Sequence, residues 1–121
     1  MRAILSSTAA APAAARRAIE PIARSLPPRA ASELLLVVTE LVANAVRHSR
    51  DGAIGLEVEL DDELARVEVT DPGDGFDPPE KPRSAYPERG GFGLVLVDRL
   101  ARRWGVRRDR DSTVVWSELP R

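Results

Sequence analysis

The sequence has no cysteine, and among its 121 residues it has one histidine, His48. Without cysteine, disulfides, thiolate chemistry and cysteine-based zinc sites are excluded. A single histidine also excludes a metal centre built from several histidines. These two absences remove thiol chemistry and clustered histidine or cysteine metal sites from the candidate functions.

The chain also lacks a marked excess of charge and a long apolar run. Its formal net charge is −1, which gives no electrostatic case for binding nucleic acid or an anionic membrane. Arginine, proline and glutamate interrupt the alanine-rich segments before they reach the roughly 18 apolar residues of a membrane span. The first six residues do not resemble a signal peptide. We therefore expect a cytoplasmic protein without membrane or direct nucleic-acid contacts, folded as a single domain over residues 1–121.

Three polar residues, Glu40, Asn44 and His48, recur at every fourth position of a helix predicted from about Ala30 to Ser49. This spacing places them on one helix face, about one turn apart. The neighbouring stripe is apolar and is predicted to be buried: Leu34, Val38, Leu41, Val42 and Ala45. A solvated polar flank explains the same pattern, so the motif alone is not decisive.

An aspartate is predicted at the buried end of a strand. Residues 54–60 alternate between apolar and polar side chains, and residues 61–63 form the turn to a second strand. On the return strand Ala65, Val67 and Val69 share one face, and the same alternation places Asp71 on that face. Because burying an unpaired carboxylate is costly, Asp71 needs a partner.

Two glycine-containing segments flank a proline-rich stretch. Gly73 and Gly75 follow Asp71, and such a pair permits positive φ and close approach of a ligand, although a plain turn is the alternative. Residues 76–89 contain four prolines and little apolar periodicity, which is typical of a functional loop such as a lid. Residues 89–94, Arg-Gly-Gly-Phe-Gly-Leu, lead into a helix whose N-terminus is suited to an anion; a flexible hinge is the alternative.

The remaining segments predict one more helix and three short strands. The strands cover Ala3–Leu5 (an edge strand), Trp104–Arg108 and Thr113–Leu119. A helix is predicted over Ala13–Leu26, where Pro21 predicts a kink or a break. Its apolar residues at helical spacing are Ala14, Ala18, Ile22 and Leu26. Asp98 and Arg102 are predicted to form a solvated i, i+4 pair on the third helix.

The order of these motifs resembles the ATP-binding domain shared by gyrase, the ninety-kilodalton heat-shock chaperone, histidine kinases and mismatch-repair ATPases, known as the Bergerat fold. Within that superfamily, residues 40–49, Glu-Leu-Val-Ala-Asn-Ala-Val-Arg-His-Ser, are particularly similar to the small anti-sigma-factor serine kinases. The resemblance covers residues 13–119. It implies an α/β fold, a two-layer α+β sandwich in which about three helices pack on one side of a mixed, mainly antiparallel sheet, with an ATP lid.

The resemblance also implies ligands for ATP and Mg²⁺. Asn44 would bind Mg²⁺ through its amide oxygen, Asp71 would accept a hydrogen bond from the adenine amino group, and Glu40 would be the general base. The other positions implied to contact or close the nucleotide site are Arg47, His48, Gly73, Gly75, Arg89, Gly90, Gly91, Phe92, Gly93, Leu94 and Thr113. The segment Gly-Gly-Phe-Gly departs from the more extended Gly-x-Gly-x-Gly pattern of the family.

The activity implied by the resemblance is an ATP-dependent serine/threonine protein kinase that phosphorylates an anti-sigma-factor antagonist. Its partners would be that antagonist, a sigma factor, or both, and a homodimer is compatible with the family. The alternative is a non-catalytic module that uses ATP to regulate a protein partner. A histidine kinase fragment is less expected because no phosphoacceptor helix precedes the motifs, and a gyrase-type ATPase because no transducer domain follows them.

Overall fold

The computed structural model describes residues 1–48, 52–71, 91–109 and 111–121, with residues 91–93 described by their backbone only. In chain order the elements of these residues are β1 (Arg2–Ser6), α1 (Ala11–Arg24), α2 (Pro28–His48), β2 (Ala53–Leu60), β3 (Leu64–Asp71), α3 (Gly91–Leu100), β4 (Arg103–Arg108) and β5 (Thr113–Pro120). The predicted α+β fold class is confirmed, and each predicted element that lies in the described ranges is present. No helix among them is long and apolar enough to cross a membrane.

The strands form one sheet in the order β1-β2-β3-β5-β4, and all four pairings are antiparallel. Directly opposite residues on antiparallel strands point to the same face. Leu56 therefore lies beside Val69, which lies beside Val115, and these three side chains are buried. The alternation predicted for β2 and β3 thus defines one inward face of the sheet.

The core lies between this inward face and the helices. The stripe predicted on α2 is confirmed as buried, and α2 packs against β2, β3 and β5. The tight turn between β2 and β3 also forms as predicted, because the Asp61 carboxylate accepts hydrogen bonds from the backbone N–H groups of Glu63 and Leu64 at 2.8 and 2.7 Å. The turn fixes the register of β2 and β3, and the buried stripe fixes the position of α2 over the sheet.

Helix α1 differs from its prediction in two respects. It continues through Pro21 to Arg24, so the predicted break does not occur. Because proline has no N–H group, the carbonyl of Arg17 loses its helical hydrogen-bond donor at Pro21. Both residues are exposed, so water can donate a hydrogen bond to this carbonyl instead. The buried stripe is also displaced by one position from the predicted one. The residues of the predicted stripe are only half-buried, apart from Leu26. The residues that are buried are Ala11, Ala15, Ile19 and Ala23.

Helix α3 begins at Gly91, three residues before the predicted apolar start at Leu94. It ends at Leu100, so Arg102 lies beyond the helix and the i, i+4 geometry expected for Asp98 and Arg102 does not arise. Asp98 instead accepts a hydrogen bond from the indole N–H of Trp104 at 2.9 Å. This bond ties the last turns of α3 to β4.

Candidate functional site

Asp71 is the last residue of β3 and lies on the inward face of the sheet. Its exposed fraction is 3%, and its Oδ1 atom has no hydrogen-bond partner within the part of the chain that the structure describes. Burial raises the pKa of its carboxyl group above the ordinary range, because a buried charge loses its hydration. The sequence prediction of a buried carboxylate in need of a partner is thus reproduced by the geometry.

Thr113 is the first residue of β5 and lies directly opposite Asp71. It is buried, and the shared register places both side chains on the inward face. The carboxylate and the hydroxyl therefore lie side by side where two central strands meet. Asp71 was predicted to contact adenine and Thr113 to belong to the same nucleotide site, and the sheet brings the two residues together.

Asn44 is the second buried polar group. Its exposed fraction is 2%, and neither its Oδ1 nor its Nδ2 atom has a hydrogen-bond partner among the described residues. It lies on α2, the helix that packs over β3 and β5. A fully buried amide normally satisfies its donors and its acceptor, and leaving them unpaired costs about 1–3 kcal/mol. Such a group points to a ligand.

Glu40 and His48 flank Asn44 on the same face of α2, one turn before it and one turn after it. Both are half-buried, whereas Arg47 is exposed. Burial lowers the pKa of His48, and the neighbouring Arg47 cation lowers it further. The imidazole is therefore neutral at neutral pH, in keeping with a structural role at the end of the helix.

The glycines predicted to bind phosphate begin α3. Gly91 and Gly93 lie in the first turn of this helix, which packs against α2. The first backbone N–H groups of a helix have no intrahelical partner and carry its positive dipole end. Leu94, predicted to contact the nucleotide, is buried. The remaining predictions, Gly73, Gly75, Arg89, Gly90, the lid and the side chain of Phe92, lie outside the described residues.

Sequence reasoning did not identify Arg108 as a neighbour of this site. Arg108 is the last residue of β4 and lies directly opposite Thr113, so it continues the cross-strand row that begins at Asp71. The sequence did contain a signal for this position of Arg108, because the predicted hairpin turn over residues 109–112 places residue 108 opposite residue 113. Arg108 brings a guanidinium group to the exposed edge of the row.

The unpartnered atoms fit a magnesium nucleotide. An ionised Asp71 accepts hydrogen bonds and offers none, which matches the amino group of adenine. The amide oxygen of Asn44 is a hard ligand suited to Mg²⁺. Within the described ranges no group of three or more His, Cys, Asp and Glu residues could hold a metal. Mg²⁺ at Asn44 would thus depend on phosphate oxygens and water, its usual coordination beside nucleotides.

Comparisons with known proteins give the family of this chain and two proteins that it resembles. The chain belongs to the family of the histidine kinase-like ATPase domain, whose model matches residues 5–118. It is 37% identical over 81 residues to an uncharacterized sensor-like histidine kinase of Chloroflexus aurantiacus, a match that covers 66% of this chain and 13% of that protein. The fold is shared with the histidine kinase AdeS of Acinetobacter baumannii, at a TM-score of 0.61 and 12% identity, over 99% of this chain and 67% of that one.

The predicted superfamily is therefore confirmed, and the family supports ATP binding. The chain spans a small part of the length of its curated relative. The roles of individual residues, the single-domain assignment and the partners stay predictions.

Proposed function

We propose that this domain is an ATP-dependent serine/threonine protein kinase of the anti-sigma-factor type, acting on an anti-sigma-factor antagonist. The observation that carries the proposal is the buried amide of Asn44, which has no partner among the described residues, with the half-buried carboxylate of Glu40 one turn before it on α2. The family supports ATP use. The similarity of residues 40–49 to anti-sigma-factor kinases supports the serine/threonine acceptor and the protein partners, a sigma factor or its antagonist.

Nucleotide binding is assigned to three parts of the chain. When bound, Mg²⁺-ATP supplies the transferable phosphoryl group. Asp71 accepts the hydrogen bond of the adenine amino group beside Thr113, and Asn44 provides a protein ligand for Mg²⁺. The free N–H groups in the first turn of α3 bind phosphate oxygens.

Glu40 is assigned the role of general base. In phosphoryl transfer from ATP to an alcohol, the hydroxyl oxygen of the substrate would bond to the γ-phosphorus as the bond from that phosphorus to the bridging oxygen breaks and ADP leaves, and the hydroxyl proton needs an acceptor. A carboxylate one helical turn from Asn44 stands about 6 Å along the helix axis from the predicted metal ligand. Glu40 takes the proton of the attacking serine or threonine at that position.

The test separates chemistry from binding. Glu40→Ala is expected to bind ATP about as well as the wild type but to transfer phosphate roughly a hundredfold more slowly, because the base acts on the attacking hydroxyl. Asn44→Ala is expected to lose Mg²⁺-ATP binding and transfer together. Glu20→Ala, on the exposed face of α1, is the matched control and should change neither.

The measurement is radiolabel transfer from ATP to proteins retained from the source cell, with ATP titrations run in parallel. Acid-stable phosphoserine or phosphothreonine supports the proposal. Acid-labile phosphohistidine would instead assign the chain to the chemistry named for its histidine kinase relatives. A partner that is never phosphorylated but changes affinity with ATP would establish the non-catalytic switch.

A further inference from the structure

Strand β1 forms one edge of the sheet, and its backbone polar groups divide into two sets. Met1 and Val58 exchange two backbone hydrogen bonds, at 2.9 and 3.0 Å, and the Ser7 N–H donates to Gly52 O at 3.0 Å. Together with the β1–β2 register, these bonds show that the odd-numbered residues of β1 form the backbone hydrogen bonds with β2. The N–H and C=O groups of Arg2 and Ile4 therefore point away from the sheet.

The side chains on this edge leave it accessible. Ile4 is 77% exposed, and the Arg2 side chain is 81% exposed while it forms an ion pair with Glu57 at 3.3 Å. Beside Ile4, Gly55 contributes no side chain, which leaves a hollow of about 280 Å³ on this face of the sheet. The edge thus offers backbone groups that no described strand pairs with, an apolar side chain and an exposed cation.

The opposite edge of the sheet is protected. Strand β4 carries Arg103, Arg107 and Arg108, and charged side chains are a common means by which proteins keep an edge from pairing with another chain. The centre of β1 has an exposed isoleucine instead. The contrast marks β1 as the edge that is open to an added strand.

We propose that β1 binds an extended segment of a partner protein as a sixth, antiparallel strand. In that register the residue opposite Ile4 forms both backbone bonds with it, and its apolar side chain packs on Ile4 beside the hollow. The residue two positions further towards the C-terminus of the segment lies opposite Arg2 and is acidic. The segment therefore has the pattern apolar-x-acidic, read from N to C. This proposal does not rest on the kinase assignment.

A second copy of this chain fits the edge less well. Antiparallel pairing of two β1 strands about Ile4 would place Arg2 opposite Ser6, which offers no opposite charge. The Ser6 carbonyl already accepts a hydrogen bond from the Thr8 N–H at 2.8 Å.

The test uses capped peptides built on Thr-Gln-Val-Thr-Glu, with the valine intended to lie opposite Ile4. Titration of the full chain is expected to show saturable binding below about 1 mM. N-methylation of the valine amide, which faces β1, should weaken binding at least about tenfold, whereas N-methylation of the next residue, which faces away, should not. The reversed peptide Glu-Thr-Val-Gln-Thr moves the acid away from Arg2 and should bind several-fold more weakly.

Amide hydrogen exchange locates the contact. The peptide should slow exchange at Ile4 while the rates at Ala3 and Leu5, already paired with β2, stay unchanged. An Ile4→Asp variant that remains folded should bind at least about tenfold more weakly. Equal binding of the two N-methylated peptides, or no binding at millimolar peptide, would overturn the proposal. Protection of Ile4 that grows with protein concentration alone would overturn it in favour of a second copy.

Discussion

At the scale of single residues, Asp71 makes the sharpest prediction. Its carboxylate should favour ATP over GTP, because adenine offers an amino donor where guanine offers a carbonyl acceptor. Asp71→Asn should lose about 1–3 kcal/mol of ATP binding free energy, the range of a charged hydrogen bond. Competition titrations of ATP against GTP measure both effects. Equal affinity of the wild type for the two nucleotides would refute the assignment.

The raised pKa of Asp71 gives the same residue a pH signature. Because burial favours the neutral form in the folded chain, the stabilising effect of protonation is complete below the ordinary pKa, about 3.9, and is lost as pH rises through the raised value. ATP affinity should follow the opposite course, falling as acidification protonates the acceptor. The Asp71→Asn variant should show neither trend, and it serves as the matched control.

Ser117 is a further buried polar residue, four positions along β5 from Thr113. Its Oγ atom is buried without a hydrogen-bond partner among the described residues, between Val67 and Trp104 in the cross-strand register. Ser117→Ala should be neutral or raise stability by up to about 1 kcal/mol, because it removes an unsatisfied hydroxyl. Thermal denaturation measures this, with Val115→Ala as a control expected to lose stability. A loss of more than about 1 kcal/mol in Ser117→Ala would show that the hydroxyl is paired.

At the scale of elements, the outward face of the sheet is held by a charged network across three strands. Glu118 on β5 accepts hydrogen bonds from Arg103 on β4, at 2.9 and 2.6 Å, and from Arg66 on β3 at 2.9 Å. The guanidinium group of Arg66 also lies 4.8 Å from the ring centroid of Trp116. Glu118 therefore links β3, β5 and β4.

This network predicts a specific acid response. The bonds from Arg103, with those from Arg66, lower the pKa of Glu118. A lowered carboxyl pKa contributes stability that is complete above the ordinary value of about 4.3 and is lost as pH falls through the folded value. Glu118→Gln should thus be less stable than the wild type at pH 7, with a difference that shrinks in acid. Denaturant unfolding at several pH values tests this, and a constant difference would contradict it.

The elements were predictable where local patterning decides them. Alternation gave β2 and β3, and the apolar period gave α2 and its buried stripe. The exposure of Pro21 was not visible in the sequence, because it depends on which face of α1 the sheet and α2 cover. The start of α3 at Gly91 was missed for a related reason: glycine is a poor helix former, and tertiary packing overrides that preference.

The site was predictable only in part. Burial of Asp71 followed from the strand period, whereas the helix period placed Asn44 beside the buried stripe and also allowed a solvated flank. The pairing of Asp71 with Thr113 required the strand order, in which β5 inserts between β3 and β4. Arg108 was missed because its place beside Thr113 depends on the register of a hairpin.

At the scale of the whole molecule, the fold separates two surfaces. Asp71 at the end of β3, Thr113 at the start of β5 and Asn44 on α2 carry the groups assigned to ATP, whereas β1 lies at the far edge beyond β2. If the proposed ligand pairs with the buried amide of Asn44 and the carboxylate of Asp71, its binding removes the cost of leaving these groups without a partner among the described residues. Binding to the folded state alone should therefore raise the melting temperature with nucleotide concentration.

The most direct test of the ATP assignment is calorimetric titration of the chain with ATP, with and without Mg²⁺. We predict saturable binding with a dissociation constant between about 1 μM and 1 mM, tighter with Mg²⁺ than without it, because the role proposed for Asn44 is to bind the nucleotide through the metal. In Asn44→Ala the advantage of Mg²⁺ should largely disappear, while Glu40→Ala should titrate like the wild type. The absence of both heat and a thermal shift at millimolar Mg²⁺-ATP would contradict the assignment.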